Sequence, residues 1–420
     1  MQDVNRLYYL DWLRVAAIMA VLFFHSAMPF AAESDWHIKN NETSNLFLEF
    51  NFFLSRFRMP LLFFISGAVA HLMLRKRTAG AFVKLRFQRL ILPLIFGMLF
   101  IVPIQVYMER LNQGFTGGLL EFYKTIFTTG PYPDGNFSWH HLWFIAYLFV
   151  YDLLLAPLFK LITNLDSNIA AVNKLSAGKN IYLLSIPSVI LFAAMVRYFP
   201  QTHNLVNDWC WFIYWLLFFV AGFLVFRFPS LALSLERNRR VSLSIAVATF
   251  FFVNYLRWND LEPAESITDL VSAATSYGYL ALYAITAWSW VFAIIGYGRR
   301  YLNKFHFSLS YLNEAAYPFY ILHQSVIVVI AFYVVQTNDS ILLKYIFLVL
   351  TSLITSIFIY HLFIRPAALL RFFMGGKLKN NSLDLPRENI IIQNNGLPGS
   401  LNRSVESSPN TAISGITEQG

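Results

Sequence analysis

The sequence predicts an all-α, polytopic integral membrane protein of about ten transmembrane helices, with both termini cytoplasmic. Three observations carry that expectation: an apolar surplus, apolar stretches of membrane-spanning length, and a one-sided distribution of basic residues. Of the 420 residues, 57% are hydrophobic and 13% charged, with 42 Phe, 22 Tyr and 10 Trp. A soluble domain carries about 25% charged residues. The same surplus excludes a disordered chain over most of the length, and the single Cys210 excludes a disulfide framework.

Apolar stretches of roughly 16 to 24 residues match the ~30 Å of hydrocarbon to be crossed at 1.5 Å per residue. They fall at 13–30, 59–74, 90–108, 142–161, 181–198, 209–226, 241–256, 272–295, 315–335 and 341–363. The second is the shortest. The stretch before it, 47–57, carries Glu49 and Arg56 and either extends it or lies along the interface. Arg6 ahead of an apolar run, with Ala31 and Ala32 after it, would suit a secretory leader. Asp11, Arg14 and His25 inside the run are poor material for one, so the segment is expected to stay as the first helix. From Lys377 onward Asn, Ser and Pro dominate. The expected division is therefore a membrane domain over 1–375 and a disordered polar cytoplasmic tail over 376–420.

Assigning Lys and Arg to alternate sides of these spans puts 21 on one side and eight on the other. The richer side holds the N-terminus, the even-numbered loops and the C-terminus, and the positive-inside rule makes it cytoplasmic. Most of the net charge of +9 is thus topology, and no nucleic-acid partner is expected.

Ionisable groups inside spans are expensive and are functional candidates for that reason. In the first helix Arg14 and His25 are eleven residues apart, about 1100° of rotation, which places both on one face and ~16 Å apart along the axis. Asp11 lies near that face, three residues before Arg14. The plainer alternative makes Arg14 a snorkelling anchor and His25 a satisfied residue between helices. Arg86 and Arg89, three apart before the third span, share a helical face and are suited to a phosphate, although positive-inside anchoring explains them almost as well. The ninth span contributes Glu314 at its start, then Tyr320 and His323 at i and i+3. His140 and His141, beside Trp139 and Trp143, read as an aromatic belt, and His71 and His361 as packing or snorkelling residues. No spacing fits a metal site, and no serine-hydrolase elbow, phosphate loop or dinucleotide fingerprint is present.

The Arg14–His25 pair within LDWLRVAAIMAVLFFH, followed in order by MPLLFFISG, RFQRLILP, HLWFIAYL and SYLNEAAYPFYILHQS, resembles the membrane-bound acyltransferase-3 family, and within it the branch that succinylates periplasmic glucans. The resemblance runs from about residue 6 to 365. It implies an O-acyltransferase of the bacterial inner membrane that moves an acetyl or succinyl group from cytoplasmic acyl-CoA to a hydroxyl of an extracytoplasmic carbohydrate. Acyl-CoA is then a substrate, no cofactor is bound tightly, and the partners are acyl-CoA, the carbohydrate and the bilayer. In that frame Arg14, Arg86 and Arg89 would hold the coenzyme phosphates, with Asp11 fixing Arg14 and Glu314 orienting an arginine. His25 would be the general base, and Tyr320 or His323 would polarise the thioester or orient the acceptor. The competing class is a saccharide or lipid-linked saccharide transporter, which favours internal pseudo-symmetry and broken helices that are not evident in the sequence. Nothing in the sequence indicates the oligomeric state.

Overall fold

The computed structural model describes residues 7–33, 35–263 and 267–376, so the predicted tail lies outside the described residues except for Gly376. Among them there is no strand, only two isolated bridges. The first helices are α1 (Tyr8–Ala27) and α2 (Asn45–Leu74). The third span is one rod over Ala79–Asn112, built from α3 (Ala79–Arg86), α4 (Leu92–Phe96) and α5 (Val102–Asn112). Then come α6 (Leu119–Thr125), α7 (Trp143–Asn164), α8 (Ala170–Ser176) and α9 (Ile186–Met195). The chain ends with α10 (Trp209–Arg227), α11 (Pro229–Trp258), α12 (Leu270–Tyr301), α13 (Ser308–Val334), α14 (Ile341–Ile359) and α15 (Ala368–Phe373).

Among the described residues, nine helical segments are long and apolar enough to cross a bilayer. A tenth span results if α8 and Asn180–Met195 are joined across a bend of 109°. The bend lies just before the span expected at 181–198, which is helical over Asn180–Met195. Gly178 turns the chain there at φ 53°, a conformation that favours glycine.

The stretch 47–57 proves to be the first half of α2. Ser44 caps the helix by accepting from the Leu46 amide at 3.2 Å. The two charges that made its placement ambiguous are both accommodated: Glu49 takes two bonds of 3.1 Å from Arg257, and Arg56 lies over the rings of Phe52 and Tyr283. The third span is wound i→i+5 at Phe87–Ile91 and Gly97–Ile101. Such turns leave backbone carbonyls needing partners, which in a membrane must come from the protein. Tyr123 donates to the Leu99 carbonyl and Ser325 to that of Ile101, each at 2.9 Å.

Two glycines set the closest helix contact. A Cβ on Gly67 would lie 1.9 Å from the Phe219 carbonyl oxygen, and one on Gly222 would lie 1.9 Å from that of Phe64. The backbones of α2 and α10 therefore touch, which gives dispersion contact where no hydrophobic drive separates protein from lipid. Gly67→Ala is expected to destabilise the protein by about 1–3 kcal/mol through overpacking. Gly80→Ala, whose added carbon meets nothing within 4 Å, should leave the melting temperature in detergent unchanged.

Candidate active site

The site is built on α1 and α13, which run parallel. At one end Arg14 Nη2 is 2.5 Å from Asn313 Oδ1, with Asp11 at 3.9 Å, as the i, i+3 spacing predicts. At the other end His25 Nδ1 lies 2.9 Å from His323 Nε2, with the imidazole centroids 5.1 Å apart and the ring planes 8° from parallel. The eleven-residue step along α1 is thus matched by a ten-residue step along α13.

The hydrogen bonds dictate the tautomers. His323 Nδ1 is 2.6 Å from the Tyr320 carbonyl, which can only accept, so His323 carries its proton on Nδ1. Neutral His323 then presents a lone pair at Nε2 and accepts from His25 Nδ1–H. The remaining nitrogen of His25, Nε2, is left with the lone pair, the form that a general base requires.

Around this pair the fold gathers three further histidines, so that five of the nine in the chain converge. His141 is buried, its Nε2 donates to the Ile321 carbonyl at 3.0 Å, and its ring lies 5.1 Å from His323. His37 binds the buried Glu109 and lies 3.2 Å from Gln324, the neighbour of His323. His140 stands edge-on to His37 at 4.7 Å and Tyr132 at 4.5 Å. Its φ of 38° is uncommon for a residue with a side chain and turns the ring inward at the start of α7. Tyr132 donates to Glu109 at 3.2 Å. Burial, with the Glu109 charge beside it, pushes the Tyr132 phenol up to about 12, so it remains a donor.

Several expectations are corrected here. His141 is buried and His140 half-buried, rather than forming an aromatic belt, because the turn into α7 packs against α13, where His141 bonds Ile321. Tyr320 does not present its hydroxyl to a thioester, since it donates to the His141 backbone carbonyl and so positions that turn. The absence of a metal-like spacing hid a three-dimensional cluster: side-chain ligand atoms of His37, Glu109 and His140 lie within 4.8 Å of one another. Two imidazoles and a carboxylate can serve a divalent ion. In this structure His37 and Tyr132 both bond Glu109.

At the Arg14 end the phosphate clamp is also revised. Arg86 is buried and binds Asp152, itself fully buried, so its charge is matched inside the protein. Arg89, which is half-buried, falls in the i→i+5 turn that follows. The arginine beside Glu314 is Arg365, at 3.9 Å, while Arg14 bonds Asn313. Glu314, His361, Arg365 and Arg371 line a cleft of about 540 Å³ beside Asn313. Its two arginines, near the end of the last span, were passed over in the sequence as topology.

Residues 7–361 match the Acyl_transf_3 family model, an acyltransferase domain. The Glucans biosynthesis protein C of Escherichia coli K12 strains DH10B and MC4100/BW2952 is 25% identical over 388 residues, covering 89% of this chain and 95% of each relative. The protein of the same name from Escherichia coli O6:K15:H31 strain 536 gives the same figures. No solved structure matches the chain. With a family match across nearly all of the membrane-embedded helices that hold the histidine pair, the chain belongs to the acyltransferase-3 family and is a multi-pass membrane acyltransferase that transfers groups other than aminoacyl groups.

Proposed function

We propose that the protein moves an acyl group, acetyl or succinyl, from a cytoplasmic acyl-CoA to a hydroxyl of an extracytoplasmic glycan, in a bacterial inner membrane with both termini cytoplasmic. The observation that carries this reading is the paired register of α1 and α13, with a cationic end at Arg14 and a base at His25 about 16 Å apart. A coenzyme's anionic head and extended arm call for such a separation. Arg14, Arg365 and Arg371 are the cations assigned to the phosphates; Arg89 stays a secondary candidate, and Arg86 is removed by its pairing with Asp152. A carbohydrate acceptor is supported by the names of the matched relatives, which refer to glucan biosynthesis.

In the reaction His25 Nε2 takes the proton of the acceptor hydroxyl as its oxygen attacks the thioester carbonyl carbon. Collapse of the tetrahedral intermediate breaks the C–S bond. The departing thiolate recovers the proton from His25, and the acyl group remains as an ester. His323 holds His25 in the required tautomer throughout.

The test is to supply the purified protein, in vesicles, with radiolabelled acetyl-CoA or succinyl-CoA and a neutral glucan. Label is expected in an alkali-labile ester on the glucan. Label that stays in the coenzyme with both donors would overturn the reading and favour saccharide transport.

A further inference from the structure

Arg58 projects from the middle of α2 at the level of His25, and its guanidinium carbon lies 3.3 Å above the ring of Phe24. Among the described residues it has no ion pair and no hydrogen bond, and its Nε is buried without a partner. A cation in a membrane-spanning helix is normally matched by an anion. The nearby Glu49 does not serve, because both of its oxygens are taken by Arg257.

Arg58 lines a cavity of about 190 Å³ between α2, α9, α10 and α12, shared with Arg56, Gln201, Trp211, Tyr214 and Trp215. No acidic residue lines it. The indole N–H groups of Trp211 and Trp215 are likewise buried and unpartnered. Two arginines line one space with no carboxylate among its lining residues, and Trp211 and Trp215 line it with their N–H groups buried in the wall, so the space is complementary to an anion. Its aromatic faces suit the apolar part of such a ligand. Arg58 lies over Phe24, whose ring is 5.4 Å from that of His25, so a group held by Arg58 is close to the base.

We propose that this cavity is a carboxylate subsite of the transferase: it takes the charged end of a substrate, anchored by Arg58 and flanked by the rings of Trp211 and Trp215. The carboxylate has two chemical sources, the far end of a dicarboxylic acyl group or an acidic sugar of the acceptor. The inference rests on the acyltransferase reading and goes beyond it by naming the group that Arg58 selects.

The test uses the full chain in vesicles and reads ratios within single reaction mixtures, so the fraction of folded protein cancels. One arm offers acetyl-CoA and succinyl-CoA together with a neutral glucan. The other offers acetyl-CoA with a neutral and a uronic-acid-containing glycan together. Arg58→Gln is expected to lower the charged-to-neutral product ratio at least tenfold in one arm, and that arm identifies the source. Arg58→Lys, which keeps the charge and loses the planar fork, should lower the same ratio several-fold and serves if Arg58→Gln does not fold. Unchanged ratios in both arms would overturn the subsite while leaving the transferase intact. No ester from the wild-type protein in either arm would instead overturn the transferase reading, and the subsite with it.

Discussion

His25→Ala is expected to reduce acyl transfer by about 10³-fold, within the range that a positioned general base supplies, while the protein stays in the membrane at its normal level. The reason lies in the pairing. The sugar hydroxyl is a weak nucleophile unless its proton leaves as it attacks, and Nε2 of His25 is the lone pair made available by the chain from the Tyr320 carbonyl through His323. His323 cannot substitute, because its Nδ1 is committed to its own helix and its Nε2 faces the place vacated by His25. The loss should appear in kcat, with little change in KM for the donor, since the proposed coenzyme contacts lie at the opposite end of α1. Wild-type transfer should fall in acid as His25 takes up a proton, because the protonated ring has no lone pair to offer. Near-normal turnover by His25→Ala would remove the general-base assignment.

The second large effect is on stability. Asp152→Ala leaves Arg86 buried without its counter-charge, and breaking a buried pair in this way costs about 3–5 kcal/mol. The expected result is a marked fall in melting temperature in detergent and in the amount recovered from membranes. Replacing both partners together, Arg86→Met with Asp152→Leu, should recover most of that loss, since an apolar pair of similar volume is often as stable as the ion pair. If the Asp152 variant melted normally but bound acyl-CoA poorly, Arg86 would return to the coenzyme site as first expected from the sequence.

What the sequence made legible follows from what is local in it. Length, hydropathy and helical phase depend on near neighbours, so the spans, the shared face of Arg14 and His25 and the Asp11 contact could be read directly. The sequence also placed Tyr320 and His323 on one helix, but the direct bond of His323 to His25 depends on α13 lying parallel to α1 across some 300 residues. His37 sits in a loop, Glu109 in α5 and His140 at the mouth of α7. No linear spacing joins them, and each taken alone is unremarkable for a membrane boundary. Arg86 misled for a different reason. In a basic loop its charge looks like topology or a ligand site, and the carboxylate that neutralises it lies 66 residues away in the interior of α7. Arg58 was counted among the eight basic residues on the poorer side. A signal was present in that count, because an arginine on the side where basic residues are scarce needs a reason to be there.

The parallel register of α1 and α13 has an energetic consequence. On the proposed orientation the acyl group changes compartment while coenzyme and acceptor each stay where they began, so the reaction is also a translocation. An acetyl group carries no charge through that step, and the membrane potential leaves its driving force untouched. A carboxylate-bearing acyl group carries one negative charge outward, and a potential of 100 mV, negative inside, favours that movement by about 2.3 kcal/mol. Transfer of the charged group is therefore electrogenic, and an energised membrane itself becomes one of the terms that decide which donor is used.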